Sequence, residues 1–240
     1  MGRCFVGLTD TGLVRAVNQD SYYADPDGRF FIVADGMGGH AGGQEASKLA
    51  TECISAYIDQ YWTDSGAVSD LLLRNAIIQA NQAILEDQQV NPERAEMGTT
   101  VVLALFRDNE AWCAHVGDSR LYVLRDSKLE LVTEDHTWVS WALRAGTITP
   151  EEASVHPWRH VLSQCLGRQE LDNIEIQQLD IASGDRLLLC SDGLTGELSE
   201  DLICSYIETS PSCQEAAYRL VEAAKDKGGS DNITVVLVAE

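Results

Sequence analysis

The segment Asp20-Ser-Tyr-Tyr-Ala-Asp-Pro-Asp-Gly-Arg-Phe-Phe-Ile-Val-Ala-Asp35 has the pattern of two β-strands joined by a tight turn. Its second half, residues 30–34, carries the aromatic and β-branched side chains that favour a buried strand. Residues 25–28, Asp-Pro-Asp-Gly, suit a turn. Since the end of one strand of an antiparallel hairpin lies beside the start of the other, we expect Asp20 and Asp35 to be neighbours.

Two successive helices are predicted after this hairpin, because apolar residues recur at helical spacing over 44–62 and 68–89. Further strands and two C-terminal helices are predicted from turn residues and apolar runs. The strands are 99–106, 111–116, 121–124, 173–179, 186–190 and 232–239, and the helices are 201–208 and 214–227. Hairpins combined with paired helices predict an α+β fold of mainly antiparallel sheets covered by helices.

Three further aspartates flank predicted strands: Asp118 and Asp192 lie just past one, and Asp231 lies just before one. Together with Asp20 and Asp35 they are expected to converge on one sheet edge. Two carboxylates ~4 Å apart repel by ~4 kcal/mol at an effective dielectric constant of ~20, so five together require bound cations. Oxygen ligands, without cysteines or a histidine pair at ligand spacing, favour Mg²⁺ or Mn²⁺ over zinc or copper. The sequence therefore predicts a divalent metal site.

The composition of the chain argues against several kinds of partner and location. The 240 residues carry a net charge of −21, which opposes binding to nucleic acid. The seven cysteines form no C-x-x-C pair and indicate small buried apolar side chains in a reducing compartment. No apolar run approaches the ~20 residues that span a bilayer, and residues 1–7 carry no export or lipidation signal. We therefore expect a cytoplasmic protein without a membrane partner.

The chain also carries six short motifs in a fixed order. They are Arg15-x-x-Asn-Gln-Asp20, Asp35-Gly-Met-Gly-Gly-His-Ala-Gly-Gly43, Met97-Gly-Thr-Thr100, His115-Val-Gly-Asp-Ser-Arg120, Ser191-Asp-Gly-Leu194 and Gly229-Ser-Asp-Asn-Ile-Thr234. This set resembles that of the PPM/PP2C family of metal-dependent protein phosphatases, over about residues 7–238. The resemblance is greatest to stand-alone bacterial members, and among them to cyanobacterial phosphatases that act on a phosphorylated PII signalling protein.

The resemblance implies an α-β-β-α sandwich, in which two antiparallel sheets are flanked by helix pairs. It implies a single catalytic domain over residues 1–240, with a flap subdomain at about 137–167. The implied activity is hydrolysis of phosphoserine and phosphothreonine monoesters in a phosphorylated protein, by direct attack of a metal-bridging hydroxide. We expect a monomer.

The resemblance also implies a metal ligand set. Asp35 would bridge two ions, the Gly36 carbonyl would bind the first, and Asp192 and Asp231 would bind the second. A third ion would be held by Asp118 and Asp192. The ions would be Mg²⁺ or Mn²⁺.

Three residues are expected to act on the substrate or on water. By resemblance, Asp20 would hold metal-bound waters and Arg15 would bind the phosphoryl oxygens with its fixed fork of donors. His40 lies in a glycine-rich turn and without context would be interpreted as a hydrogen-bonding turn residue. The resemblance makes it the general acid for the leaving group.

The flap segment contains further aromatic residues. His156 and His160 are four residues apart, but Pro157 between them opposes a regular helix, so we interpret them as surface or flap residues. The tryptophans at 138, 141 and 158 are equally compatible with a flap core and with substrate contact.

Four alternative functions were weighed against the same residues. The glycines at 36 and 38 fit a dinucleotide fingerprint, but a second helix is predicted where that fold needs a strand. No lysine follows a glycine, which excludes a P-loop. Gly117-Asp-Ser119 is similar to an esterase block, yet no histidine follows His160 to complete a triad. A catalytically dead binding module would be marked by lost aspartates, and all five are present.

Overall fold

The computed structural model describes residues 3–39, 42–63 and 68–240. Its strands in chain order are β1 (Cys4–Asp10), β2 (Asp20–Ala24), β3 (Phe30–Met37), β4 (Gly98–Thr99), β5 (Val101–Arg107), β6 (Glu110–Val116), β7 (Arg120–Arg125), β8 (Lys128–Leu131), β9 (Glu175–Leu179), β10 (Arg186–Cys190) and β11 (Ile233–Ala239). They form two sheets with antiparallel neighbours. The first has the order β1-β11-β10-β7-β8, and the second has the order β2-β3-β5-β6-β9, with β4 beside β3.

The α-helices in the described parts of the chain are α1 (Gly42–Tyr61), α2 (Ser69–Val90), α3 (Trp138–Arg144), α4 (Pro150–Ser154), α5 (Asp192–Thr195), α6 (Glu200–Thr209) and α7 (Cys213–Lys227). Two pairs, α1 with α2 and α6 with α7, cover the outer faces of the sheets. Buried residues of α1 and α2 form one core with the second sheet, and those of α6 and α7 form another with the first sheet. The predicted α-β-β-α sandwich is confirmed.

Strand β3 shows how alternation builds the layers. Phe30 and Ile32 pack under α1 and α2, whereas Phe31 and Val33 point into a third core between the two sheets. This inter-sheet core also contains Val236 and Val238 from the first sheet. Because both faces of β3 are buried, its sequence is a continuous apolar run and not an alternating one.

The predicted hairpin forms between β2 and β3, and its register places Asp20 directly opposite Asp35. The Asp25 side chain holds the turn, because its Oδ2 accepts hydrogen bonds from the backbone N–H groups of Asp27 and Arg29 and from Arg29 Nε at 2.9 Å. The turn therefore fixes the register that pairs the two site aspartates.

Several elements differ from the sequence-based prediction. The predicted strand 99–106 is divided at Thr100, whose N–H donates to the Asp35 carbonyl and leaves the regular ladder. Strands β1 and β8 and the short helices α3 to α5 were not predicted. β1 is an edge strand that pairs with β11 at the far end of the chain, a relationship that no local pattern encodes.

The cysteine prediction is partly wrong. All seven cysteines are free, but Cys4 is exposed and Cys53 and Cys204 are half-buried. The remaining four are buried as expected. Cys4 is exposed because it begins the edge strand β1.

Residues 137–167 lie in the connection between β8 of the first sheet and β9 of the second sheet. Their two ends pair with each other, since Trp138 N–H donates to the Val161 carbonyl and Thr137 bridges to Leu162. Inside the segment Trp138 stacks on His156 with ring centroids 4.6 Å apart. This part of the chain carries α3 and α4 and lies beside the carboxylates described below.

Candidate active site

The five predicted aspartates meet at one end of the sandwich, but they come from both sheets. Asp20 and Asp35 lie on β2 and β3, and Asp118 follows β6, all in the second sheet. Asp192 follows β10 and Asp231 precedes β11 in the first sheet. The expectation of a single sheet edge is therefore wrong, because the strand ends converge across the stacked sheets and not along one of them.

Asp35 lies at the centre of this group. Burial raises the pKa of its carboxyl well above the ordinary value, and the charges of Asp20, Asp192, Asp118 and Asp231 raise it further, in that order. Each of the other four carboxylates is thus close enough to repel it. Without a bound cation this concentration of negative charge opposes folding.

The backbone around Asp35 is held from two directions. Its N–H donates to Thr100 Oγ1 at 3.0 Å, and its carbonyl accepts from Thr100 N–H at 2.9 Å. The next residue, Gly36, admits no side chain, since a Cβ there would collide with the Gly43 carbonyl at the start of α1. Gly36 lines the cavity beside Asp35, and the absence of a side chain lets its backbone pack closely against α1.

Asp20 is the most buried carboxylate of the group. Its Oδ2 accepts hydrogen bonds of 2.7 Å from Ser191 Oγ and from Thr234 Oγ1. Its Oδ1 is buried and has no hydrogen-bond partner among the residues that the structure describes. Burial, opposed by these two hydroxyls, raises the pKa of Asp20 to about 6. One oxygen is thus fixed while the other remains available.

Asp118 follows a constrained glycine. Gly117 has a φ of +107°, and a Cβ there would lie 2.6 Å from Thr100. Such a conformation strongly favours glycine. Burial raises the pKa of Asp118 to about 8, with further contributions from Asp192 and Asp135. Asp118 is placed beside Asp192 in the same cavity.

Arg15 forms the cationic side of the cavity. Its Nη2 lies 2.7 Å from Asp231 Oδ2, and its side chain is 53% exposed. The cavity is lined by Arg15, Asp35, Gly36, Asp118, Asp192 and Asp231, among others. The structure therefore places a guanidinium and four of the carboxylates around one opening to solvent.

Asn232 ties the loop that carries Arg15 to the rest of the site. Its Oδ1 accepts from Gln19 N–H at 2.7 Å, and its Nδ2 donates to the carbonyls of Thr11 and Val17. Sequence reasoning assigned no such role to Asn232, nor to the hydroxyls that bind Asp20. The sequence did offer a clue to Ser191 and Asn232, because each is adjacent to an aspartate that was predicted to be a metal ligand.

Sequence reasoning missed two residues of the cavity, one within residues 137–167 and one directly after them. His160 Nδ1 lies 3.8 Å from Asp192 Oδ2, and Arg168 also lines the cavity. The His160 side chain is 61% exposed, so its interpretation as a surface or flap residue is incomplete, since it also borders the carboxylates. No spacing in the sequence links residue 160 to residue 192. His40, the predicted general acid, lies outside the described residues.

These residues fit divalent metal ions. The donors are carboxylate oxygens and a backbone carbonyl, the ligands that Mg²⁺ and Mn²⁺ prefer. The unpartnered Oδ1 of Asp20 and the mutual repulsion around Asp35 are both relieved by a bound cation or by water that a cation orients. The arrangement thus offers carboxylate oxygens to a divalent cation next to an exposed guanidinium.

The sequence matches the family model described as protein phosphatase 2C over residues 14–234. It is 40% identical to the serine/threonine protein phosphatase PstP of Mycobacterium tuberculosis over 235 residues, which cover 97% of this chain and 44% of PstP. The chain thus spans less than half the length of that relative. It is 37% identical to the protein phosphatase PhpP of Streptococcus pneumoniae over 97% of this chain and 95% of PhpP.

Solved structures are similar over the whole chain. The crystal structure of the Mycobacterium tuberculosis serine/threonine phosphatase PstP/Ppp has a TM-score of 0.91 at 38% identity, and covers 100% of this chain and 99% of that one. The PstP catalytic domain in complex with two manganese ions has a TM-score of 0.86 at 37% identity, with the same coverage of 100% and 99%. Divalent metal binding is thus seen in a structure of the same fold.

Proposed function

Because the chain belongs to the protein phosphatase 2C family, we propose that it is a metal-dependent phosphatase that hydrolyses phosphoserine and phosphothreonine monoesters in proteins. The observation that carries this proposal is the group of five carboxylates beside the exposed Arg15. A phosphoryl group is a dianion, and only a site that combines metal ions with a guanidinium can hold it among so many aspartates.

Within this proposal the carboxylates divide into two sets. Asp35, the Gly36 carbonyl, Asp192 and Asp231 hold two ions, and Asp118 with Asp192 holds a third. The ions are Mg²⁺ or Mn²⁺. When bound, they lower the pKa of a coordinated water and neutralise the charge of the phosphoryl oxygens. The proximity of Asp118 to Asp192 supports this division, since after burial the charge of Asp192 is the main cause that raises the pKa of Asp118.

Three residues act on the substrate and on water. Arg15 donates hydrogen bonds to the phosphoryl oxygens and orients phosphorus for attack in line with the departing oxygen. Asp20, fixed through Oδ2 by Ser191 and Thr234, accepts a hydrogen bond from water at its free Oδ1. His40 donates a proton to the serine or threonine oxygen as the P–O bond breaks.

We propose that the substrate is a phosphorylated protein, that residues 1–240 form one catalytic domain with a flap at about 137–167, and that this domain acts as a monomer. A PII-type signalling protein is one candidate substrate. Neither PstP nor PhpP is named for such a protein, so this candidate rests on the sequence resemblance alone. None of the helices in the described parts of the chain is long and apolar enough to cross a membrane.

The proposal is tested with a phosphothreonine peptide and purified protein. We expect phosphate release to require added Mn²⁺ or Mg²⁺ and to stop with EDTA. Asp35→Asn should abolish release, because the central carboxylate is lost, and should remove most of the heat of Mn²⁺ binding in a calorimetric titration.

Asp180→Asn is the matched control, since the Asp180 side chain is 98% exposed and lies away from the site. It should leave both activity and Mn²⁺ binding unchanged. Full phosphate release by protein shown to be metal-free would refute the mechanism, and Mn²⁺ binding without any turnover on phosphopeptides would favour a binding module.

A further inference from the structure

A second cluster of titratable side chains lies behind the carboxylate site. It consists of His115 on β6, His136 in the loop before α3 and Glu175 on β9. The two imidazole rings stack with centroids 4.8 Å apart and are almost fully buried. His136 Nε2 lies 3.3 Å from Glu175 Oε1, and His115 Nε2 lies 3.8 Å from Glu175 Oε2.

The hydrogen bonds around His136 assign its protons. The Gly117 N–H donates to His136 Nδ1 at 3.3 Å, so Nδ1 carries the lone pair. The ring proton is therefore on Nε2, the nitrogen that lies beside the Glu175 carboxylate but forms no aligned hydrogen bond among the described residues. A metal ion at Nε2 would require the proton on Nδ1, where it would face the Gly117 N–H. The arrangement thus opposes a metal ion at His136 Nε2 and favours an electrostatic contact between this N–H group and Glu175.

His115 completes the cluster without competing for this pair. Its Nε2 lies 2.9 Å from the Glu134 carbonyl, to which it donates. Burial acts to raise the pKa of Glu175, but the contacts of its carboxylate with His115, His136 and Asn173 outweigh burial and lower that pKa. Glu175 is therefore a carboxylate and an acceptor at neutral pH.

His136 holds Gly117 through its main chain as well. The His136 N–H donates to the Gly117 carbonyl at 3.0 Å, so both polar groups of Gly117 are bound by one residue. On the opposite side Gly117 is closed by Thr100. The His136 carbonyl in turn accepts from Ser163 N–H at 2.8 Å, at the returning end of the flap.

We propose that Glu175 and His136 are positioning residues that hold the Gly117 peptide, and with it Asp118, in the geometry needed to bind the outermost metal ion. Glu175 fixes the tautomer and orientation of His136, and His136 fixes Gly117. The inference rests on the proposed function, because it concerns the ion assigned there to Asp118. The same contacts connect the base of the flap to that ligand through Ser163.

The test uses two substitutions of His136, one that removes the acceptor provided by Nδ1 and one that keeps an acceptor near its position. His136→Phe keeps a ring but removes the acceptor for Gly117 N–H, whereas His136→Asn retains an oxygen near the position of Nδ1. We expect His136→Phe to raise the half-saturating Mn²⁺ concentration of the weakest site by about 10- to 100-fold, the usual cost of losing an outer support of a metal ligand. His136→Asn should restore most of that affinity.

The affinity of each variant for Mn²⁺ is measured in two ways. One is calorimetric titration with Mn²⁺, and the other is the rate of phosphopeptide hydrolysis as a function of Mn²⁺ concentration. The tighter sites should be unchanged. Since the calorimetric measurement needs no turnover, an inactive wild-type protein would refute the proposed function while leaving this inference testable. Thermal unfolding establishes that each variant is folded.

Glu175→Gln keeps the shape of the side chain but removes its charge. It tests the contact between Glu175 and His136 if His136→Phe does not fold. It should weaken the same site by a smaller factor, while Glu130→Gln on the exposed strand β8 should have no effect. Equal effects of the Phe and Asn variants, or Glu175→Gln indistinguishable from the control, would overturn the inference. So would an equivalent of zinc in the purified wild type that Glu175→Gln removes.

Discussion

Arg15 and Asp231 form an ion pair of 2.7 Å across the opening of the site, so the proposed phosphate ligand is bound to a proposed metal ligand. A divalent ion on Asp231 would neutralise the charge that holds Arg15. Metal binding would therefore release the Arg15 guanidinium from Asp231. The guanidinium would become available to bind phosphate once a metal ion occupies the site.

The first prediction concerns Arg15. Arg15→Ala should lower kcat/KM for a phosphopeptide by about 10- to 100-fold, since a hydrogen bond to a charged group is worth about 1.5 to 3 kcal/mol. Arg15→Lys should fall between, because an ammonium lacks the two-pronged geometry. Arg144→Ala is the control: that side chain is 57% exposed and also forms an ion pair, with Glu134 at 2.9 Å. Equal steady-state constants for Arg15→Ala and wild type would remove Arg15 from substrate binding.

The second prediction concerns metal removal and pH. The pKa of Asp20 is raised to about 6 and that of Asp118 to about 8, both chiefly by burial. The pKa of an aspartate in the unfolded chain is near 4, so the metal-free folded state binds these two protons more tightly than the unfolded state does. The protons therefore stabilise the folded state at low pH, and this stabilisation is lost as pH rises from ~4 through ~8. The rise in Tm caused by Mn²⁺ should therefore increase across this range. A rise independent of pH, measured by calorimetric melts, would contradict the prediction.

The third prediction separates stability from activity at Asp118. Asp118→Asn removes one charge from a crowded group, so at pH 8 the metal-free variant should be more stable than wild type by about 1 kcal/mol. Its turnover should fall steeply while two tighter Mn²⁺ sites remain. Urea unfolding with EDTA and calorimetric titration measure the two effects. Wild-type turnover in this variant would leave the third ion without a catalytic role.

The fourth prediction concerns His40 and uses the leaving group as the probe. A serine alkoxide needs a proton as it departs, and a positioned general acid contributes about 100- to 10,000-fold. Nitrophenolate departs without one. His40→Ala should therefore slow phosphoserine-peptide hydrolysis far more than p-nitrophenyl phosphate hydrolysis at saturating Mn²⁺. If both rates fall by one common factor, His40 is not the acid.

The fifth prediction concerns the hairpin turn. Asp25 is buried and binds Arg29 through several hydrogen bonds, so Asp25→Asn should lower the free energy of unfolding by about 3 kcal/mol, as for other broken buried ion pairs. Asp27→Asn, at an 82% exposed side chain in the same turn, should change it little. Denaturant titration measures both variants. A loss as small as that of the control would show that the turn does not depend on Asp25.

Local patterns predicted the parts of this protein that are local. The pairing of Asp20 with Asp35 followed from one turn, and α1 and α2 followed from helical periodicity. Local patterns did not predict how the two sheets pack on each other. That packing depends on contacts of β3 with β11 and β10, which no sequence spacing encodes. For the same reason the contact of His160 with Asp192 was not foreseen.

The pairing of β1 with β11 also sets when the site can exist. Asp231 and Asn232 immediately precede the last strand, while Arg15 and Asp20 follow the first. During synthesis on the ribosome, Arg15 and Asp20 are made long before Asp231, so a product that stops before residue 231 would lack one of the proposed metal ligands. The proposed site can therefore assemble only after β11 has been translated.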